Sequence, residues 1–361
     1  MDKQNIILVA CIAFGASLLI SYLLTPYAKK IAYKIGAIDV PKDNRRVHKE
    51  PIPRLGGLAI YCAFIVTALV MAVFNSNVHF NTEFVGILIG VTIIVMVGIV
   101  DDVKPISAKY KLAAQIVAAL IVVKSGVTID FINFPLINSE SGYVFFEALR
   151  VPMTIFWIVG ITNTVNLIDG LDGLAAGVSA IASLSLAAVA YNTGQYSVAI
   201  LLVILAGATS GFLPYNFNPA QIFMGDTGSL AIGFLLATIS VEGVIKKAAT
   251  IAIAIPVLAL GVPIFDTTFA IIRRLLNGRP IMEADKGHLH HRLLDQGLSQ
   301  RQTVVILYGI SIVLGGSAVV LSNTTTRLSA YLVIATMAVL VVYGAFKMGL
   351  MKKVEDTKAK A

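Results

Sequence analysis

Charge is what this sequence has least of. Only 13% of its 361 residues are Asp, Glu, Lys or Arg, while 57% are hydrophobic. A soluble domain carries roughly 25% charged residues, so a soluble globular protein is excluded. Cysteine is scarce too. Cys11 and Cys62 each lie in an apolar run and form no C-x-x-C pair. That excludes a disulfide framework and a cysteine-based zinc site. There is no internal repeat and no low-complexity tract. Neither a P-loop nor a Rossmann glycine pattern occurs, so a nucleotide would have to be held differently. No small-residue cleavage site precedes Thr25-Pro26, so the first apolar run reads as a retained span rather than a removed signal.

What is present is a succession of apolar runs. About 20 apolar residues cross a bilayer core. Mean hydropathy is +0.84. Eleven runs qualify, at 5–25, 55–74, 84–100, 110–128, 150–166, 174–191, 197–214, 228–243, 248–272, 302–321 and 328–347. The expectation is a single all-α polytopic membrane domain over 1–361. Segment 129–147, with Asp130, Asn133 and Pro135 among apolar residues, reads as a short β-hairpin on the membrane surface.

Lysine and arginine orient the chain. With the N-terminus outside, the cytoplasmic segments are 26–54, 101–111, 163–173, 214–228, 273–301 and a basic tail, 347–361. Of the 28 basic residues, 22 then fall inside; Lys246-Lys247 is a local exception. The C-terminus is cytoplasmic, and most of the net charge of +8 faces anionic membrane lipid. No nucleic-acid motif accompanies it.

This orientation gathers five polar clusters on one face. The stretch 163–177 carries Asn163, Asn166, Asp169 and Asp172 between two apolar runs. Ionisable groups at the edge of a span need partners or water and so suggest a functional site. Gly170 and Gly173 let a ligand approach the backbone. The plain alternative is a helix-to-helix turn with Asp as a cap. Asp101-Asp102 ends another run. Carboxylates at a helix C-terminus oppose the dipole, so the pair calls for a metal or a lysine: one faces a site while Lys104, Lys109 or Lys111 holds the other. Asp226 lies between glycines at the mouth of the eighth run and reads as accessible, with a cap as the alternative. Lys49 and Arg54 precede Gly56-Gly57 and suit phosphate oxygens. His288, His290, His291 and Arg292 suit a polyanion. A zinc site there is weak without cysteine. Nothing apolar nearby suggests buried core residues, and a solvated basic loop is the plain alternative. If the loop holds sugar or pyrophosphate, single replacements should lower turnover and leave stability alone. Asp266 reads as a partner for Arg273 or Arg274.

Carboxylates, amides, histidines and arginines on one surface suit Mg²⁺ shared with substrate phosphates. That is the equipment of phosphoryl transfer. The chain resembles the polyprenyl-phosphate N-acetylhexosamine-1-phosphate transferases over essentially its full length, and is most similar to their WecA/TagO branch. The resemblance rests on Val47-His48, Pro53-Arg54-Leu55-Gly56-Gly57, Gly98-Ile99-Val100-Asp101-Asp102, the run 163–173, the run 223–229 and His288-Leu289-His290-His291-Arg292. The related MraY branch has Thr-Met-Gly-Gly and His-His-His-Phe at two of these places. That argues against a muramoyl-pentapeptide substrate.

The resemblance implies an eleven-span fold in a bacterial plasma membrane, with the active site on the cytoplasmic face. It implies transfer of N-acetylglucosamine 1-phosphate from UDP-N-acetylglucosamine to undecaprenyl phosphate, with Mg²⁺ (or Mn²⁺) as cofactor. The product would open a cell-wall glycopolymer such as a teichoic acid linkage unit. A homodimer is compatible with it. By motif position Asp226 resembles the metal ligand, with Asp101 and Asp169 beside it. Asp101, Asp102, Asp169, His290 and His291 fall at catalytic positions. Lys49, Arg54, Asn166, Gly170, Asp172, Asn216, Phe223, His288 and Arg292 fall at substrate positions, Phe223 at the place that stacks on uracil. A phosphomonoester has its second pKa near ~6, so the lipid phosphate hardly needs a base. Asp101, which falls at the place of the family's proposed base or lipid-phosphate partner, is therefore assigned to orientation or metal-shell organisation, with proton abstraction as the alternative. An aspartyl-phosphate intermediate stays open. The rival readings are an MraY-like transferase and a lipid-linked sugar transporter, but transporters place polar sites near the midplane.

Overall fold

The computed structural model describes residues 3–41, 50–75, 81–129, 131–133, 143–145, 148–245, 253–280, 287–324 and 327–347. Lys49 lies outside these residues. The chain runs through α1 (Lys3–Ile35), β1 (Ile38–Asp39), β2 (Ile52–Pro53), α2 (Gly57–Phe74), α3 (Thr82–Val103) and α4 (Ala108–Lys124). A short antiparallel hairpin follows, β3 (Phe131–Asn133) and β4 (Tyr143–Phe145), as expected for that segment. Then come α5 (Arg150–Ile168), α6 (Leu174–Asn192), α7 (Tyr196–Asn216) and α8 (Gly225–Ile239), the last ending in a π-helical turn, Ser240–Ile245. The chain closes with α9 (Ala254–Ala259), α10 (Gly261–Leu276), α11 (Leu289–Asp295), α12 (Gln300–Ser322) and α13 (Arg327–Lys347).

Among the described residues, seven helices, α1, α2, α3, α5, α6, α7 and α12, are long and apolar enough to cross a membrane. The chain is a multi-pass membrane protein. Helices α4, α8 and α10 have 17, 15 and 16 residues. At ~1.5 Å per residue such lengths reach ~23–26 Å, short of a ~30 Å hydrocarbon core. Three boundaries differ from the sequence reading. Helix α1 continues past residue 25 through Pro26 to Ile35. The run at 248–272 breaks at Leu260 into α9 and α10. Pro263 has no N–H to offer the carbonyl of Ala259, which interrupts the ladder there. The expected loop 273–301 contains α11.

Local chemistry explains several ends. Asn81 caps α3 by accepting from the Phe84 N–H at 2.8 Å. Ser299 and Gln302 form a reciprocal capping box at the start of α12.

Helix α8 is the centre of the bundle. Every residue from Thr227 to Ile239 is buried. An all-round apolar helix must be enclosed by others, and α3, α5 and α2 enclose it. Close approach needs residues without side chains. A Cβ on Gly57 of α2 would run into the backbone of Gly228, and one on Gly98 of α3 into that of Thr227. Small residues at such crossings replace the hydrophobic drive that lipid removes. The outer helices show lipid the opposite surface: Ile7, Leu8, Ile12 and Leu19 of α1 are exposed.

Candidate active site

The same crossings bring several helix ends to one end of the bundle. The N–H groups of Gly56 and Gly57 donate to the carbonyls of Phe223 and Met224, each at 2.9 Å. The start of α2 is thereby fastened to the start of α8. Phe223 also donates its N–H to the Pro53 carbonyl at 2.8 Å, and its half-buried ring is held beside the segment carrying Arg54.

Asp102 is 1% exposed and caps α8. Its carboxylate accepts from the N–H of Asp226 at 3.0 Å, the N–H of Thr227 at 3.0 Å and the Thr227 hydroxyl at 2.6 Å. The cap leaves no room for a side chain at Gly225, whose φ is +70° and whose missing Cβ would meet that carboxylate. An acidic group at a helix N-terminus matches the dipole. The sequence anomaly is resolved: Asp102 sits badly on its own helix because it serves another.

Asp101 accepts from the Ile106 N–H at 3.0 Å and lies 3.4 Å from Lys111 Nζ. The Arg54 guanidinium donates to the carbonyls of Asp102 at 3.1 Å and Asp101 at 3.3 Å. It therefore supplies the cation that the C-terminus of α3 lacks. Asp226 is half-buried rather than bare. Lys111 Nζ donates to its Oδ2 at 2.8 Å and Asn166 Nδ2 to its Oδ1 at 3.1 Å. Asn166 also reaches Ser229 Oγ at 2.9 Å. Oxygens of Asp101, Asp102 and Asp226 lie within 4.8 Å of one another. Asp169, expected among metal ligands, is not one of that trio. It lies close enough to feel it: burial, then the charges of Asp226, Asp102 and Asp172, push its carboxyl up to about 7.

Two expected substrate residues prove to brace the neighbouring loop. Asn216 accepts from the Gly173 N–H and donates to the Ile222 carbonyl, each at 3.0 Å, so both ends of its amide are occupied. Asp172 accepts from Asn218 Nδ2 at 2.9 Å and the Ala220 N–H at 3.0 Å. Both residues shape the segment that leads to Phe223.

Two histidines of the loop are buried, which corrects the expectation drawn from the lack of apolar neighbours in sequence. His288 and His290 are buried at 7% and 3% exposure. Asp266 pairs with this loop rather than through Arg273 or Arg274 as expected. Its Oδ2 lies 2.8 Å from His288 Nδ1, and its Oδ1 accepts the Leu289 N–H at 2.6 Å. The His290 ring lies against His291, with centroids 4.3 Å apart. A Cβ on Gly170 would come 2.6 Å from His290 Nε2, so the loop closes on the 163–173 segment. Burial, then His291, pull the His290 imidazole down to about 3, against an opposing pull from Asp266. It is neutral at neutral pH. Arg292 and His291 are half-buried beside it.

Sequence reasoning underweighted Lys111 and missed Gln115. Gln115 and Asn163 exchange two hydrogen bonds between α4 and α5, at 3.3 and 2.6 Å. Lys111 is four residues from Gln115, and Asn166 three from Asn163. Helical spacing therefore aims both at Asp226. The signal was a pair of amides inside apolar runs.

Comparison with known proteins gives the same direction. Residues 84–244 match the family described as Glycosyl transferase family 4. A probable undecaprenyl-phosphate N-acetylglucosaminyl 1-phosphate transferase of Bacillus subtilis is 44% identical over 335 residues, covering 92% of this chain and 90% of the relative. A decaprenyl-phosphate N-acetylglucosaminephosphotransferase of Mycolicibacterium smegmatis is 35% identical, covering 80% and 76%. A phospho-N-acetylmuramoyl-pentapeptide-transferase of Bacillus thuringiensis is 32% identical, covering 87% and 97%. The chain belongs to glycosyl transferase family 4, the polyprenyl-phosphate sugar-phosphate transferases.

Proposed function

We propose that this protein transfers N-acetylglucosamine 1-phosphate from UDP-N-acetylglucosamine to undecaprenyl phosphate in a bacterial plasma membrane. The observation that carries the proposal is the meeting of Asp101, Asp102, Asp226, Lys111 and Asn166 at one end of the bundle. The 44% identical relative carries that activity in its name. The proposed topology is eleven spans with the N-terminus outside. The 22 basic residues of the inner segments support a cytoplasmic site.

A lipid-phosphate oxygen attacks the sugar-bearing phosphorus of the UDP-sugar. The pyrophosphate P–O bond breaks, and UMP leaves with the bridging oxygen and the electron pair. The new pyrophosphate joins lipid to sugar. The lipid phosphate is already mostly dianionic, with a second pKa near ~6, so no residue has to take its proton. Clustered carboxylate oxygens fit a hard divalent ion such as Mg²⁺. Asp226 and Asp101 would hold it, with Asp169 nearby. Bound there, the ion would neutralise charge developing on the phosphates. Asp102 keeps the start of α8, and with it Asp226, in place. The Phe223 ring offers a face for uracil. Sugar and phosphate would lie beside neutral His290, His291 and Arg292, next to the 163–173 segment on which this loop closes.

The test mixes purified protein, UDP-N-acetylglucosamine, undecaprenyl phosphate and Mg²⁺ and measures UMP. No UMP from this donor, with UMP from UDP-N-acetylmuramoyl-pentapeptide, would move the protein to the muramoyl branch. UMP from neither overturns the proposal. Arg54 favours UMP from UDP-N-acetylglucosamine, because its guanidinium, bonded to the Asp101 and Asp102 carbonyls, stands where the muramoyl branch has threonine.

A further inference from the structure

We propose that Lys111 is the resident counter-cation of the acidic basin. It holds Asp226 and Asp101 together in the metal-free protein and gives up that place when a divalent cation binds. The inference rests on the metal reading above.

Three carboxylates whose oxygens lie within 4.8 Å repel one another unless a cation sits among them. Lys111 supplies it, with Nζ 2.8 Å from Asp226 Oδ2 and 3.4 Å from Asp101 Oδ1. Arg54 is less well placed. It stands 4.0 Å from Asp102 Oδ1, and it donates to the carbonyls of Asp101 and Asp102. Asp102 is itself occupied at the start of α8. The ammonium therefore lies between the two carboxylates that a divalent ion would bridge.

Ion and ammonium cannot share that position, because like charges at such range disfavour each other. Exchange needs no movement of the helix. Gln115, one turn further along α4, is tied to Asn163 by two hydrogen bonds, which fixes the backbone beneath Lys111. The lysine side chain is 24% exposed and has a flexible four-carbon stem, so it has a route out to solvent. An anionic substrate entering with the metal brings new charge for the released ammonium to meet. The same lysine thus keeps the basin assembled while empty and sets how strongly a metal must bind to enter.

The test uses full-length protein, stripped with EDTA, and Mn²⁺ as a spectroscopic probe. Lys111→Gln is expected to bind Mn²⁺ at least about tenfold more tightly than wild type, equivalent to ~1.4 kcal/mol. It should unfold at lower temperature in chelator and recover with Mn²⁺. Lys111→Arg keeps a cation and should stay within about threefold of wild type. Unchanged or weaker Mn²⁺ binding by Lys111→Gln overturns the proposal. Absence of Mn²⁺ binding in every protein, wild type included, overturns the metal reading and the proposal with it. Wild type alone gives an independent readout. Saturating Mn²⁺ should raise acetylation of Lys111 severalfold, as measured by mass spectrometry. Equal or slower labelling counts against release of the ammonium.

Discussion

Replacing Asp102 by alanine should loosen the whole site rather than remove one reacting group. The carboxylate accepts three hydrogen bonds from the first turn of α8 and is 1% exposed. Losing a helix cap costs ~0.5–2 kcal/mol. Each donor left buried without a partner adds ~1–3 kcal/mol. Such terms are not additive, and breaking a comparable buried charged contact costs ~3–5 kcal/mol. We expect Asp102→Ala to lose about that much stability. Asp102→Asn keeps one acceptor oxygen but turns an NH₂ group toward donors, so it should lose less. Gly225→Ala should copy the alanine variant from the other side. Its Cβ would enter the carboxylate, and an alanine at φ +70° is strained by ~1–2 kcal/mol. Thermal unfolding in detergent, paired with UMP release below the transition, measures both effects. Asp102→Ala that melts like wild type yet makes no UMP would refute the cap as its main task and return Asp102 to the chemistry.

Asp226→Asn should abolish UMP release while leaving membrane insertion and melting near wild type; normal turnover with unaltered Mg²⁺ dependence rejects the metal assignment. Phe223→Ala should weaken UDP-sugar binding by ~1–3 kcal/mol, the worth of a ring stacked on a base, and spare the lipid substrate. An unchanged KM for the UDP-sugar rejects stacking. His288→Ala should lower melting, because it leaves Oδ2 of the buried Asp266 without its partner, at a cost of ~1–3 kcal/mol. His291→Ala should instead slow turnover at least about tenfold with little change in melting, since losing one preorganised donor costs up to ~10²–10³ in rate. Asp169 makes a pH prediction. Its carboxyl is raised to about 7 in the folded protein, so the fold binds a proton that the unfolded chain releases from about pH 4 upward. Stability in chelator should therefore fall as pH rises through 7. Asp169→Asn should flatten that fall, and a wild-type melting curve independent of pH from 5 to 8 contradicts it.

Much of the site was legible because the basic residues sorted the loops. Once lysine and arginine set an orientation, five polar clusters fell on one side, and helix ends on one side are the ones able to touch. The structure brings residues from each cluster together: Arg54 to Asp101 and Asp102, Asp102 to Asp226, Asn166 to Asp226, and His290 to Gly170. Membrane crossing was legible for the long apolar helices, since length and composition decide it. The break at Leu260 was not, although Pro263 was a warning. An apolar run reads the same whether or not its backbone ladder is continuous.

Burial of polar groups was the part that local pattern could not supply. Three histidines and an arginine in five residues look solvated to any composition argument. Two of them, His288 and His290, are nonetheless buried, and His288 is held by Asp266, 22 positions earlier on α10. Asp101-Asp102 shows the reverse case. Two carboxylates at a helix C-terminus were visibly out of place, and that misfit alone said that partners must exist. It did not say which. The partners of Asp102 stand 124 and 125 residues away, at the start of α8. The glycines that let α8 come close enough, Gly57 and Gly98, lie in runs where small residues look like filler. A charge placed against its own helix dipole is a local fact. The dipole it satisfies is a tertiary one, and only the packing of α3 against α8 reveals it.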